Sequence, residues 1–195
     1  MMNSVFVMNF APPPIDRREM MRYMRAREGD RLAEELVDEV VAECEGVLKY
    51  SVCYTYAKTE FSDTGCAVGT IFARSHDLKR VLSECTGAVI FCATVGTGID
   101  RLIMKYSRLS PSRALAIQAL GTERVEALCD SFCNFLREKH GDITHRFSAG
   151  YGDLPLEIQR EVFKALEPEK YIGVTLGEGC VMTPSKSVTA FVGLK

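Results

Sequence analysis

Residues Gly87-Ala88-Val89-Ile90-Phe91-Cys92-Ala93 form a continuous apolar run. An alternating run would give a strand one wet face; an unbroken one predicts a strand buried on both. From Leu48 to Lys58 the pattern instead has a period of two. Tyr50, Val52, Tyr54 and Tyr56 share one face, and Ser51, Cys53 and Thr55 the other, which predicts a strand with an aromatic face. Asp63-Thr64-Gly65 predicts a turn, and Cys66 to Ala73 a partner strand, so the pair is expected as a hairpin. Ser187 to Leu194 alternates Val188, Ala190 and Val192 against Phe191 and predicts a terminal strand. An early hairpin, later single strands and helices grouped between them favour an α+β fold over a doubly wound one. The expectation is a single domain over residues 1–195, with a largely antiparallel twisted sheet and helices packed on it.

The helices read from apolar spacing. Asn9 to Pro14 is stiff and extended through Pro12-Pro13-Pro14. A short helix then starts with Asp16 as its cap and Met20, Met21 and Met24 as its stripe. Asp30 opens a second helix reaching about Val47, with Leu32, Leu36, Val37, Val40, Val41 and Cys44 at helical spacing. His76 to Cys85 predicts a short helix. The central strand ends in Thr94-Val95-Gly96-Thr97-Gly98-Ile99-Asp100 and enters another helix. Arg101 stands where a dinucleotide-binding turn would place its third glycine, so this reads first as a tight connection and second as a ligand-pocket wall. The long helical region that follows breaks near Ser110-Pro111. Its stripe is Leu115, Ile117, Leu120, Val125, Leu128, Phe132 and Phe135. Gly121 within it costs about 1 kcal/mol against alanine, which implies close packing on a neighbour. Leu156 to Leu166 predicts a helix closed by Pro168, and Gly177 to Pro184 a loop or edge strand.

Composition narrows the function. A net charge of -2 argues against a general nucleic-acid or membrane-surface binder. No stretch is long and apolar enough for a membrane span, and no basic region precedes an apolar run at the N-terminus, so no signal peptide is expected. The eight cysteines are dispersed and form no Cys-x-x-Cys pair, and only His76, His140 and His145 accompany them. Cys129 and Cys133 share a helix face, but buried free thiols are the expected state, with no metal site. A reducing, cytoplasmic setting fits such thiols.

Chemistry concentrates between Thr144 and Glu157. The stretch opens like a strand, with Arg146 between Ile143 and Phe147, breaks at Gly150-Tyr151-Gly152, and restarts as a helix near Pro155. Arg146 offers a planar fork of donors suited to a carboxylate. Gly150 and Gly152 permit backbone to turn inward or approach a ligand closely. Asp153 is placed to cap the helix that follows. On the residues alone, a plain strand–turn–helix connection with a salt-bridged arginine fits equally well.

Two blocks carry a family resemblance. Arg146-Phe147-Ser148-Ala149-Gly150-Tyr151 is similar to the Arg-x-x-x-Gly-Tyr element of the S-adenosylmethionine-binding activation domain of cobalamin-dependent methionine synthase. Glu169-Lys170-Tyr171-Ile172-Gly173-Val174-Thr175-Leu176, followed by Met182-Thr183-Pro184-Ser185-Lys186-Ser187-Val188, is similar to that domain's Ile-Gly, Met-x-Pro and Ser-Val segment. The chain most resembles the short stand-alone relatives of the domain. It departs from the full-length enzymes by reading Gly152-Asp153-Leu154-Pro155 where they read Pro-Ala-Cys-Pro, and it ends soon after the Ser187 strand, where the family domain continues.

The resemblance implies the activation-domain fold and an auxiliary role in reductive reactivation: S-adenosylmethionine is held for methyl transfer to a cob(II)alamin as it is reduced. It implies that Arg146 pairs with the ligand carboxylate, that Ala149, Gly150 and nearby backbone allow close approach, and that Tyr151 lines the adenosine pocket. By the same resemblance Asp16 meets the ligand's amino group. Such a protein contributes no catalytic residue of its own. No Asp-x-His-x-x-Gly cobalamin motif is present, so the corrinoid must come from a partner, a methionine synthase or another corrinoid protein, with a flavodoxin-type electron donor. Two other readings stand beside this one. The first is a non-catalytic module that binds a partner or small ligand. The second, an ordinary methyltransferase, ranks last, because no glycine-rich nucleotide loop is followed by a suitably placed acidic strand end.

Overall fold

The computed structural model describes residues 4–27 and 29–195. Its main sheet has four strands in the order β1-β2-β6-β9, every pair antiparallel. They are β1 (Phe6–Asn9), β2 (Ser51–Ala57), β6 (Gly87–Thr94) and β9 (Ser187–Leu194). The apolar run is β6, one of the two inner strands. Its alternation sends Val89, Phe91 and Ala93 into one core and Ala88, Ile90 and Cys92 into the other. Both faces are therefore covered, as the composition of the run requires.

Helices cover the first face: α1 (Arg17–Met24), α2 (Arg31–Glu43), α4 (Gly98–Leu109) and the 30-residue α5 (Pro111–His140). Phe132 of α5 anchors them, with its ring centroid 4.9 Å from Phe91 and 5.0 Å from Tyr54. Burying a ring of that size contributes about 1.5–3 kcal/mol. The opposite face carries α3 (His76–Leu82), α6 (Gln159–Leu166) and a small antiparallel sheet of β3 (Thr59–Ser62), β4 (Gly65–Val68) and β5 (Ile71–Ala73). The chain between α6 and β9 forms α7 (Pro168–Ile172) and a short hairpin of β7 (Thr175–Leu176) and β8 (Met182–Thr183).

Several expectations are corrected. The turn at Asp63-Thr64 is present, but Cys66 to Ala73 does not pair with β2. That segment splits at Gly69 (φ 62°) into β4 and β5, and its partner is β3. β2 is buried on both faces, so it takes an inner place between β1 and β6. The N-terminal strand β1 had no signal of its own, being four residues long with Phe6 and Val7 over 40% exposed. The second helix ends at Glu43 rather than near Val47, and Leu32 and Leu115 lie on exposed helix faces, outside the stripes assigned to them.

The Gly96–Gly98 turn is a tight strand-to-helix connection. A Cβ on Gly98 would come 2.3 Å from Val47 Cγ1 and 2.6 Å from the Val47 carbonyl oxygen. The glycine is explained by that close approach. Gly121 is likewise pressed on a neighbour, since a Cβ there would meet Ile99 Cγ2 at 2.8 Å.

Candidate functional site

The outer edge of β9 is partly covered by residues 143–147. Phe147 N–H donates to the Phe191 carbonyl and Phe191 N–H to that of Phe147, both at 2.9 Å, and Thr144 N–H donates to Gly193 at 3.0 Å. This ragged pairing fixes Arg146 beside α5. There Arg146 Nη2 lies 2.9 Å from Asp130 Oδ1 and 3.1 Å from Glu126 Oε2. Burial opposes the Arg146 charge, but the acidic groups around it, Cys129 once ionised at high pH together with Glu126 and Asp130, outweigh it and hold the guanidinium's pKa above its ordinary value. Burial pushes the neighbouring Cys129 thiol up to about 12, so it stays protonated and unreactive at neutral pH.

After Phe147 the chain makes a compact turn. Tyr151 N–H donates to Ser148, Leu154 N–H to Tyr151 and Gly150 N–H to Leu154. Gly150 and Gly152 both take positive φ, 85° and 54°. At Gly152 a Cβ would also sit 2.4 Å from Asp77 Oδ2. The turn leaves Tyr151 64% exposed, at the mouth of the site.

Asp153 does not cap the helix that follows it, contrary to the sequence expectation. That helix begins with an uncapped 3-10 turn, Leu156–Ile158, running into α6. The Asp153 carboxylate instead accepts from the Ser75 hydroxyl, from His76 N–H at 2.7 Å and from Asp77 N–H at 3.2 Å, at the start of α3. The turn itself prevents local capping, because Gly152 points the next residue at α3. The Ser75 hydroxyl bond, aided by the two amides, holds the Asp153 carboxyl below its ordinary 3.8. A depressed carboxylate contributes stability above its unfolded-state pKa and loses it as the pH falls through the folded value. Asp153→Ala is therefore expected to melt at lower temperature than the wild type at neutral pH, and the gap should close as the pH drops below 3.8. Thermal melts across that range check it; a gap independent of pH would sink the electrostatic explanation.

Together these elements wall a cleft of about 280 Å³. Arg146, Ser148, Ala149 and Tyr151 come from the turn, and Glu126 from α5. Gln159 opens α6, Met182 comes from β8, and Ser187, Val188 and Thr189 from β9. Of the sequence candidates, Arg146, Ala149 and Tyr151 line the cleft. Gly150 lies between two of them without lining it. Asp16 is not among the lining residues: its carboxylate caps α1, accepting from the amides of Arg18 and Glu19.

Among the described residues, two buried side-chain polar atoms have no hydrogen-bond partner, Arg146 Nη1 and Gln159 Oε1. Both residues line this cleft. One atom is a cationic donor and the other a neutral acceptor. Leaving the neutral acceptor unsatisfied costs about 1–3 kcal/mol and the cationic donor more, so the cleft can take a polar ligand or water between them.

Sequence reasoning missed Glu126, Asp130 and Gln159. Gln159 left a signal, because it sits at i of an i, i+3, i+7 stripe completed by Val162 and Leu166, a polar residue where the helix buries its face. Glu126 and Asp130 gave none, being acidic residues one turn apart on a helix flank.

No protein-family model matches the chain, and no curated protein matches it. Among solved structures, it is similar to the crystal structure of the MetH reactivation domain bound to AdoHcy. The TM-score is 0.74 at 15% identity, covering 98% of this chain and 78% of that one. The mixed architecture with antiparallel sheets is thus the fold of that domain. No helix among the described residues is long and apolar enough to cross a membrane.

Proposed function

We propose that the chain binds S-adenosylmethionine in the Arg146 cleft and serves as an auxiliary protein for reductive reactivation of a cobalamin-dependent methionine synthase or a related corrinoid methyltransferase. The observation that carries this reading is the unpartnered, buried Arg146 Nη1 on the wall of a cleft, in a fold shared with a domain solved with AdoHcy. The residues fit the ligand. Arg146 supplies a donor for the methionyl carboxylate. Glu126, 3.1 Å from Arg146, and the nearby Asp130 leave this end with one more negative than positive charge, which suits a ligand carrying both an ammonium and a sulfonium. Tyr151 and Met182 offer aromatic and thioether surface for the adenosine. The bound ligand would supply the methyl group. The chain's own residues orient it, and Tyr151 at the mouth shields it. The corrinoid and a flavodoxin-type electron donor belong to partners.

One observation favours the second reading, a module that has dropped this chemistry. Arg146 Nη2 is already engaged by two carboxylates, which weakens its claim on a third. A reactivation assay separates the two. A cobalamin-dependent methionine synthase without its activation domain, trapped as cob(II)alamin, should regain turnover when this protein, S-adenosylmethionine and a one-electron reductant are all present, and not when any one is withheld. Ligand binding without recovered turnover in such partners would favour the module.

A further inference from the structure

We propose that Gln159 is a specificity-determining residue of the cleft and that it reads the purine base of the ligand. The proposal rests on the reading of the cleft as an S-adenosylmethionine site and names the group that selects the base. Gln159 is 6% exposed, its Oε1 has no partner, and it lines the same cleft as Arg146. A glutamine on the buried stripe of α6, beside Val162 at 1% and Leu166 at 0% exposure, is a costly choice where leucine would pack. The charged end of the ligand is accounted for by Arg146 and Glu126. The donors left are neutral, the exocyclic amine of the base and the ribose hydroxyls. An uncharged, buried carboxamide suits a neutral donor better than an ammonium. Its acceptor and donor lie side by side, the pattern that matches the amine and adjacent ring nitrogen of adenine. With the carboxamide in this orientation, a 6-oxo purine presents an acceptor to the same Oε1 and is disfavoured.

The test compares binding of AdoHcy and S-inosylhomocysteine, which differ in the 6-amino group, to the wild type and to Gln159→Leu. It is paired with thermal melts of both proteins without ligand. The wild type is expected to prefer AdoHcy by roughly tenfold or more. Gln159→Leu should bind AdoHcy roughly tenfold more weakly and show no preference between the two. Its ligand-free melting temperature should equal or exceed that of the wild type, because the variant removes an unsatisfied buried acceptor. A variant that keeps the wild-type preference overturns the proposal, as does one that melts lower while binding unchanged, which would mark Gln159 as structural. Equal weakening toward both ligands, with no wild-type preference, would assign the acceptor to a ribose hydroxyl and overturn the base reading. Wild type that binds neither compound nor S-adenosylmethionine brings down the functional reading itself, before any variant is compared.

Discussion

Arg124→Met is expected to remove about 3–5 kcal/mol of folding stability. Arg124 is fully buried. Its guanidinium forks onto the Glu123 carboxylate, and its remaining donors reach the carbonyls of Pro13 at 2.5 Å and Pro14 at 2.7 Å. Glu123, 4% exposed, also accepts from the backbone N–H of Asp16 at 3.1 Å. The Glu123–Arg124 pair thus ties the N-terminal proline segment and the start of α1 to the middle of α5, Arg124 through the proline carbonyls and Glu123 through the Asp16 amide. The prolines themselves have no N–H to contribute to any turn or ladder that would hold the segment, so they depend on it. Methionine would fill the volume but leave a buried carboxylate uncompensated and two carbonyls without donors. Urea unfolding should show a lower midpoint with an unchanged slope. The double variant Glu123→Met/Arg124→Met should recover part of the loss, because an apolar pair replaces a half-pair. Recovery stays incomplete, since the Asp16 amide and the proline carbonyls remain unsatisfied. A single-variant loss under about 1 kcal/mol would mean that the segment is held some other way.

The local features of this fold were legible where one residue type decides. The run from Gly87 to Ala93 predicts a strand covered on both faces, and it is one. The alternation over Ser187–Leu194 and the break at Ser110-Pro111 were equally plain. Pairing was not legible. A hairpin is the cheapest partner for a strand ending near a turn, which predicts that Cys66–Ala73 pairs with β2. Burial on both faces outweighed it: β2 pairs instead with β1 and β6. No local rule reports a preference that arises only once both layers exist.

The candidate site was legible in the geometry of its turn and illegible around it. Gly150 and Gly152 announce a backbone that other residues resist, and both adopt positive φ. Asp153 departs from the expected role because a cap normally serves amides within the next few residues. Its partners Ser75, His76 and Asp77 lie more than 70 positions away in the chain. Glu126 and Asp130 became part of the site only because residues 143–147 lie against β9 and bring Arg146 to α5. The unsatisfied atoms of Arg146 and Gln159 are properties of packing and have no signature in sequence.

Arg146→Ala is expected to weaken binding of S-adenosylmethionine by about 2–4 kcal/mol, roughly 30- to 1,000-fold, the loss of a charge-assisted contact from a cleft. Titration calorimetry on wild type and variant measures it. Folding stability should change by no more than about 1 kcal/mol, because the partners that Arg146 holds are largely solvated: Glu126 is 45% and Asp130 69% exposed. That asymmetry between binding and stability distinguishes a ligand contact from a structural salt bridge, which was the alternative open from the residues alone. Arg146→Lys should recover only part of the affinity. An ammonium can reach one oxygen of a carboxylate, yet it cannot serve Glu126, Asp130 and a ligand with fixed, separately aimed donors as the guanidinium does. If the alanine variant binds like the wild type, the carboxylate lies elsewhere and Arg146 is simply the tether between the ragged edge of β9 and α5. If it loses stability in proportion to affinity, the cleft collapses without the arginine, and the binding loss says nothing about contact. Only loss of affinity with the fold intact places the ligand's carboxylate at the guanidinium atom that the protein itself leaves without a partner.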